Sequence, residues 1–238
     1  MIPNPFMGAF FAFEGANFCG KSTQFEKAFA SLLGRYGKQA ASLVPYGVSR
    51  GVTVVRTKEP NKDKYWGRRI YKELKTVGGI HTTNPMGFQT WYACDSKENL
   101  KNIIIPALRL GSIVVTDRFR PSLVHGARTP ADLAELMRMN ESIIGEDLIW
   151  PDAIFIFDVS IETALARLAS KRVVPDMQET REGLEITIPM YRNFAEYFPR
   201  ANCHIIDANS IDQEAIAAKV MEIMTPILKV KQYTLVGA

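Results

Sequence analysis

A phosphate-binding loop is the feature that most constrains this chain. Residues 15–22 read GANFCGKS, which is a glycine, four residues and then Gly-Lys-Ser, a spacing that wraps backbone around phosphate. The glycines let backbone N–H groups turn inward, and a helix that begins near Lys21 adds the positive end of its dipole. In this pattern Lys21 reaches the β- and γ-phosphates and the Ser22 hydroxyl can ligate Mg²⁺. A chance glycine turn with an exposed lysine is the alternative that the pattern leaves open.

The segments on either side of the loop favour nucleotide binding. An apolar run over Met7–Phe13 precedes it, as a buried strand would, and helical spacing follows over Thr23–Tyr36. A nucleotide, which the family resemblance described below implies to be ATP, is therefore predicted to be bound by Gly15, Ala16, Asn17, Phe18, Cys19, Gly20, Lys21, Ser22 and Thr23. The inward N–H groups and the adjacent helix also predict that the Cys19 thiol favours its thiolate form, and the alternative is an inert small residue packed under the loop. The loop does not name the acceptor, because GTPases, motor ATPases and small-molecule kinases share it.

Strands and helices alternate along the rest of the chain. Further apolar runs typical of strands lie at 52–56, 112–116, 153–159 and 204–207, and helical patterns lie at 86–110, 131–144, 161–171 and 211–228. This alternation predicts an α/β protein whose parallel sheet is covered on both faces. No linker is evident, so residues 1–238 are predicted to form a single domain, with an inserted loop at 40–51 and a loose tail at 232–238.

Composition limits the partners and the compartment. The 238 residues are 47% hydrophobic and carry a formal net charge of +4, which suits anionic ligands but lacks the dense basic run of a nucleic-acid binder. Three scattered cysteines, Cys19, Cys94 and Cys203, favour reduced thiols. No apolar run reaches the roughly 20 residues that a membrane span needs, and no basic segment of a signal peptide is apparent. We expect a cytoplasmic protein with no nucleic-acid or membrane partner.

Several stretches resemble, in order, the thymidylate kinase family of P-loop nucleoside monophosphate kinases. They are FFAFEGANFCGKSTQ around the loop, VVRTKEP at 54–60, IIIPALRLGSIVVTDRF at 103–119, IFDVSIETALARLASKR at 156–172 and IIDAN at 205–209. The resemblance implies one kinase domain with a five-stranded parallel sheet flanked by helices. It also implies transfer of the γ-phosphoryl group of ATP, with Mg²⁺, to a nucleoside monophosphate, and dTMP is the first choice of acceptor.

The resemblance assigns roles to two residues at the end of a predicted strand. It implies that Arg118 clamps the acceptor phosphate and that Asp117 acts near the Mg²⁺, which Ser22 also ligates. Without the resemblance, an acid followed by an arginine at this place reads equally well as a strand-end salt bridge. With Lys21 and Arg172, these two residues form the predicted catalytic set.

The resemblance also places a lid at about residues 167–182, where arginines close over the phosphates. Arg172 is the first choice for the catalytic arginine, and Arg167 is the second and is predicted to contact ATP. One subgroup of the family carries this arginine in the phosphate loop, but that position is Phe18 here. A well-placed arginine contributes about 10³- to 10⁵-fold to such reactions. An exposed basic helix face is the alternative for these lid residues.

The departures from the family pattern fall mainly on the acceptor side. Asn17 stands where the family loop has an acid, and Lys58 stands where the family has an arginine on the acceptor phosphate. Ser96 replaces a helix arginine that reads the edge of thymine, although Tyr92 keeps the aromatic ring that stacks on the base. The Asp-Arg pair of the family lid becomes Asp176-Met177.

With these charges lost, dTMP is predicted to be accepted but only weakly discriminated from other pyrimidine monophosphates, and compensation by other residues is the alternative. Arg69 or Glu98 could take over the reading of the base, and His125 is either a ligand contact or an exposed loop histidine. The acceptor-binding residues that the resemblance implies are Asn17, Lys58, Arg69, Tyr92, Ser96 and Arg118.

Two classes of function follow from this pattern. The first is an ATP-dependent nucleoside monophosphate kinase for dTMP or, as an alternative, for a different monophosphate. The second is a catalytically weak nucleotide-binding regulatory protein derived from such a kinase. A GTPase would normally carry an Asn/Thr-Lys-x-Asp motif, which the sequence lacks. The resemblance also suggests a homodimer through helices on one face, where Leu133, Leu136 and Met137 are either interface or core.

Overall fold

The protein is described from a computed structural model, over residues 1–39, 53–171, 179–209 and 212–231. The loop predicted at 40–51, the tail predicted at 232–238 and the predicted catalytic Arg172 lie outside these residues, as do Asp176 and Met177 of the predicted lid.

A parallel sheet forms the centre of the molecule. Its strands are β2 (Ala9–Glu14), β3 (Lys38–Gln39), β4 (Thr53–Lys58), β5 (Ile113–Asp117), β7 (Ala153–Asp158) and β8 (Cys203–Asp207). Their order is β3-β4-β5-β2-β7-β8, and every neighbouring pair is parallel. The predicted five-stranded parallel sheet is confirmed, and the two-residue strand β3 extends it at one edge. A separate parallel pair joins β1 (Ile2–Pro3) to β6 (Ile149–Trp150).

Helices flank this sheet, as predicted. They are α1 (Lys21–Tyr36), α2 (Tyr65–Glu73), α3 (Ile80–Thr83), α4 (Pro85–Asn99), α5 (Ile105–Arg109), α6 (Pro130–Ile144), α7 (Ile161–Lys171), α8 (Arg181–Arg192), α9 (Phe194–Tyr197) and α10 (Gln213–Val230). Helix α2 was not predicted from the sequence, since it is only nine residues long and buries only Gly67 and Ile70. No helix in the described part of the chain is long and apolar enough to cross a membrane.

One long helical stretch runs from α4 into α5. A π-helical turn at Leu100–Ile104 joins the two, and Pro106 follows near the start of α5. Proline has no backbone N–H and cannot donate the usual helical hydrogen bond. We attribute the π-helical turn to this missing donor, since such turns absorb local irregularities inside helices. The sequence predicted one or two helices here, and the structure has two that are joined without a loop.

The core lies on both faces of the central strands. All six residues of β2 are buried, and the Phe13 ring contacts Phe25 of α1 at 5.6 Å and Phe157 of β7 at 5.9 Å between centroids. Burial of aromatic rings on both faces favours a parallel sheet enclosed by helices. Leu133, Leu136 and Met137 of α6 belong to this core, which decides between the two alternatives left open for them.

The order of the strands determines where a ligand binds. The chain passes from β2 to one side of the sheet, where it forms β4 and β5, and later crosses to β7 on the other side. The loops that follow β2, β5 and β7 therefore diverge around the carboxyl end of β2. Such a switch point is where open α/β sheets bind ligands.

Candidate active site

The phosphate loop folds around a small cavity at this switch point. The cavity has a volume of about 140 Å³ and is lined by residues 16–23 together with Arg118. Gly15 has a φ of +141° and Gly20 a φ of +89°, values that favour glycine. A Cβ on Gly15 would lie 2.7 Å from both the Cys19 sulfur and the Phe157 carbonyl oxygen. The cavity brings together most residues predicted to bind ATP.

Lys21 lies in the floor of this cavity. Its side chain is almost fully buried and its ammonium group forms an ion pair with the Asp117 carboxylate. Burial lowers the pKa of Lys21, the nearby Arg118 lowers it further, and Asp117 opposes both. The register of the sheet explains the pairing, because Asp117 lies beside Phe13 on the neighbouring strand, just before the loop begins. Two of the predicted catalytic residues are therefore in contact.

Arg118 connects the β5 turn to the phosphate loop. Its φ is +73°, which is uncommon for a residue other than glycine. Its backbone N–H donates to the Phe13 carbonyl at 3.0 Å, and its guanidinium donates to the Asn17 side-chain oxygen at 2.8 Å and to the Tyr191 hydroxyl at 3.2 Å. Burial pulls the pKa of Arg118 down, but Tyr191 and Glu14 outweigh that effect and raise it. The guanidinium therefore stays charged at the cavity wall.

Glu14 holds this turn in place through hydrogen bonds. The sequence did not identify it as a site residue. It is fully buried at the end of β2, where its carboxylate accepts hydrogen bonds from the Phe119 N–H and, at 2.8 Å, from the Ser122 hydroxyl. The Tyr191 hydroxyl donates to it at 3.3 Å. Burial raises the pKa of Glu14 to about 7, although Arg118 and Ser122 oppose the shift. The signal that could have identified Glu14 is an acidic residue at the end of an otherwise apolar strand.

Glu179 and His125 also reach the site, from later parts of the chain. The Asn17 amide nitrogen donates to the Glu179 carboxylate at 3.2 Å, so a carboxylate lies next to the position where the family loop carries its acid. Tyr191 of α8 also lies 3.1 Å from the ring nitrogen Nε2 of His125. His125 contacts Arg118 as well, at 3.0 Å, so this histidine belongs to the site and is not merely an exposed loop residue.

The donor set at the loop suits Mg²⁺. Ser22 and Thr23 are exposed at the start of α1, and the Asp117 carboxylate lies beside Lys21. Hydroxyl and carboxylate oxygens are the ligands that Mg²⁺ takes together with phosphate oxygens. Within residues 1–39, 53–171, 179–209 and 212–231, no group of three or more histidines, cysteines and acids converges on a metal position.

Arg167 contacts the backbone of the phosphate loop, and Cys19 is a buried residue of that loop. The Arg167 guanidinium donates to the Phe18 carbonyl at 3.2 Å and to the Ala208 carbonyl at 2.8 Å, so it ties α7 to the loop. The Cys19 thiol is buried, and this burial raises its pKa. The prediction of a thiolate at Cys19 is wrong, because desolvation outweighs the nearby N–H groups and Lys21.

Four of the six predicted acceptor residues, Lys58, Arg69, Tyr92 and Ser96, lie along β4, α2 and α4. Lys58 pairs in register with Asp117, and its ammonium lies 5.5 Å from the centre of the Tyr71 ring. Tyr92 is half-buried, with its ring edge-on to Phe88 at 5.3 Å between centroids.

Arg69 and Glu98, the alternative candidates for reading the base, hold α2 and α4 together. Arg69 packs on an aromatic cluster, 4.9 Å from the Trp91 ring centre, and donates to the Tyr65 hydroxyl at 2.9 Å. The Glu98 carboxylate accepts from the Trp66 N–H at 3.5 Å. Their predicted contact with the acceptor is not tested by these positions and stays a prediction.

Ser96 lies beneath this surface. It has no exposed area, and its hydroxyl donates to Glu59 at 2.9 Å and accepts from Arg120. Neither partner was singled out from the sequence, since only the fold brings the end of β4 and the turn after β5 against α4. At the preceding residue, burial and the nearby Glu59 raise the pKa of Asp95 to about 7. A direct contact between Ser96 and the acceptor stays a prediction.

This fold and this site define the class of the protein. A parallel sheet with the phosphate loop at its switch point, a lysine in the loop floor and an Asp-Arg pair on the neighbouring strand is the architecture of a P-loop nucleoside monophosphate kinase.

Comparison with known proteins names the family. The family model described as thymidylate kinase matches residues 13–220. A thymidylate kinase of Coprothermobacter proteolyticus is 30% identical over 90% of this chain and 97% of its own. A probable thymidylate kinase of Thermococcus kodakarensis is 28% identical over 92% and 98%, and a thymidylate kinase of Caldicellulosiruptor saccharolyticus is 29% identical over 93% and 98%. The chain belongs to the thymidylate kinase family.

Proposed function

We propose that the chain transfers the γ-phosphoryl group of ATP to dTMP. The observation that carries this proposal is the convergence of Lys21, Asp117 and Arg118 on the phosphate cavity. Phosphoryl transfer needs positioning and charge neutralisation more than covalent chemistry, and two buried or half-buried cations at one phosphate-sized cavity supply both. The names of the relatives support dTMP as the acceptor.

The donor side follows from the loop. Its inward N–H groups and the N-terminus of α1 bind the phosphates of ATP, and Lys21 neutralises charge on the β- and γ-oxygens. Ser22 and Asp117 would hold Mg²⁺, which supplies further neutralisation when it is bound with the nucleotide. Arg167 fixes the loop through the Phe18 carbonyl, and Arg172 is the proposed lid arginine.

The acceptor side follows from the β5 turn and α4. Arg118 binds the acceptor phosphate and is oriented for this by Asn17 and Tyr191. Lys58, on the neighbouring strand, adds a second positive charge without the two-pronged geometry of an arginine. Tyr92 stacks on the base, and stacking tolerates any base face. The site therefore holds the phosphate more selectively than it holds the base.

A substrate panel tests this function. Purified protein with ATP and Mg²⁺ is assayed for ADP release with dTMP, dUMP, dCMP and dGMP. We expect dTMP to be phosphorylated, and dUMP to follow within about tenfold in kcat/KM, which is only about 1.4 kcal/mol. A preference for dTMP above about a hundredfold, or about 2.7 kcal/mol, would show that other residues read the base. No turnover with any monophosphate would favour the regulatory alternative.

Oligomeric state and location stay predictions. A homodimer is testable by light scattering of the purified protein. The cytoplasmic location rests on the sequence expectation that the three cysteines remain reduced, and none of them forms a disulfide in the structure.

A further inference from the structure

A buried polar cluster lies beneath the proposed acceptor site. It consists of Glu59, Ser96, Asn99, Arg120 and Asn140, each less than a tenth exposed, and is called the Arg120 cluster below. Its members come from four segments, namely the end of β4, helix α4, the turn after β5 and helix α6. Arg120 is its single cation and Glu59 its single carboxylate.

Arg120 joins these four segments through one guanidinium. Its Nη2 donates to the Glu59 carboxylate at 2.7 Å and to the Ser96 hydroxyl, and its Nη1 donates to the Asn140 side-chain oxygen. The guanidinium also lies over the Phe119 ring at 4.6 Å. No other side chain of the cluster hydrogen-bonds to both α4 and α6 within the described residues.

Stability alone does not account for this cluster. Desolvation of two charges offsets much of their attraction, so a buried ion pair often contributes no more than apolar residues of the same volume. The Nε of Arg120 is buried and has no hydrogen-bond partner among the described residues, which adds a further cost. A costly buried pair is more readily explained by what it holds in place.

The cluster is adjacent to three residues of the proposed acceptor site. Glu59 follows Lys58, and Arg120 lies two residues after Arg118. Ser96 lies one helical turn after Tyr92 on α4. The turn between β5 and Arg120 is held from two sides, because the Phe119 N–H donates to Glu14 while the Arg120 side chain points to Glu59. Arg118, with its positive φ, lies inside this turn.

We propose that Arg120, through its ion pair with Glu59, is a positioning residue of the acceptor site. This inference rests on the function proposed above. The pair fixes the β5 turn against β4 and α4, so that Arg118, Lys58 and Tyr92 keep their relative positions when the acceptor binds. Arg120 is almost fully buried and does not line the phosphate cavity, so its assigned role is to position other residues and not to bind either substrate.

The test uses a variant in which no charge is left buried without a partner. Glu59→Gln with Arg120→Met removes both charges and keeps similar side-chain volumes, so it is expected to fold with a Tm close to that of the wild type. We expect KM for dTMP to rise about tenfold to a hundredfold, as small displacements of binding groups do, while KM for ATP changes by less than about twofold.

The matched control is an ion pair at the surface of the same sheet. Arg56 of β4 pairs with Glu26 of α1 at 3.0 Å, and both side chains are exposed. Glu26→Gln with Arg56→Met removes the same two charges and should leave both KM values unchanged. A wild-type KM for dTMP in the cluster variant would overturn the proposal, as would equal changes in both KM values.

A double-mutant cycle with Arg118 gives a second readout. If the cluster positions Arg118, then Arg118→Met should raise KM for dTMP by a smaller factor in the cluster variant than in the wild type, because Arg118 is already misplaced there. Additive effects would overturn the proposal. Wild-type protein that phosphorylates no monophosphate would instead contradict the proposed function, and equilibrium binding of dTMP to the same variants then decides the role of Arg120.

Discussion

At the scale of single residues, the site depends on buried charged side chains that are paired with other groups of the protein itself. Lys21 is held by Asp117, and Arg118 by Asn17, Tyr191 and the acids around them. Removing one member of a buried pair leaves the other uncompensated, so each substitution here affects both chemistry and stability, and the two effects have to be measured separately.

Lys21→Ala is expected to abolish phosphoryl transfer in a protein that stays folded. The lysine neutralises charge on the transferring phosphates, so we expect kcat/KM to fall by more than about a hundredfold. Its control is Lys27→Ala on the same helix, which removes an ion pair with Glu214 outside the cavity. ADP release and circular dichroism of both variants provide the measurement. Activity within a few-fold of wild type would remove Lys21 from the proposed mechanism.

Glu14 makes stability depend on pH in a defined direction. Its pKa is raised by burial from 4.5 to about 7, so the folded protein binds this proton more tightly than the unfolded chain does. Its stabilising contribution is therefore complete below about pH 4.5 and is lost as pH rises through 7. Glu14→Gln should gain stability relative to wild type over this window, by at most about 3 kcal/mol.

Urea unfolding at several pH values between 4.5 and 8 measures this difference. Asp95 titrates in the same window, but it is present in both proteins and cancels from the comparison. Glu182→Gln, at an exposed position of α8, is the control and should follow the wild-type curve. Parallel curves for Glu14→Gln and wild type would show that Glu14 does not carry the raised pKa.

At the scale of elements, close packing of backbone on backbone sets the position of α2. Gly67 is buried on α2, and a Cβ there would overlap the backbone of Asn61 in the turn after β4. That turn also receives the Asp95 carboxylate from α4, at 3.1 Å from the Asn61 N–H. The glycine thus lets α2, the β4 turn and α4 meet beside the proposed acceptor site.

Gly67→Ala is expected to destabilise the protein by about 1–3 kcal/mol, because the backbone of the turn must move. Gly34→Ala is the matched control, since Gly34 is an exposed glycine of α1 whose Cβ would meet nothing within 4 Å. Alanine there should stabilise the helix by about 0.5–1 kcal/mol. Chemical denaturation measures the free energy of unfolding of both variants. Equal changes in this free energy at the two positions would contradict the packing argument.

At the scale of the whole molecule, the site exists only in the folded state. Lys21 and Asp117 are 96 positions apart in sequence, and Asn17 and Glu179 are 162 apart. A ligand that binds such a site stabilises the whole fold, because the unfolded chain offers no equivalent group of charges.

ATP with Mg²⁺ should therefore raise the Tm of the protein. At a ligand concentration of 100 times Kd the gain is about 2.7 kcal/mol, which for a chain of this size corresponds to about 5–10 °C. Differential scanning fluorimetry with a non-hydrolysable ATP analogue measures it without turnover. The Lys21→Ala variant should show a much smaller shift. No shift in the wild type at millimolar nucleotide would contradict nucleotide binding at this loop.

The sequence by itself determined the sheet and the phosphate loop, because the signals for both are local. Apolar runs and helical spacing are read within a few residues, and the phosphate loop is one continuous stretch. Residues 16–23 therefore lie together around one cavity, as their spacing predicted. The same holds for Asp117, which is placed beside the loop once its strand pairs with β2.

Tertiary structure alone decided the surroundings of these residues. Burial, which no local pattern reports, raises the pKa of Cys19 and makes the expected thiolate wrong. The partners of Ser96 come from β4 and the turn after β5, and Glu179 reaches Asn17 across the fold. Such contacts join residues that are distant in sequence, so their charge and desolvation are set only when the sheet is assembled.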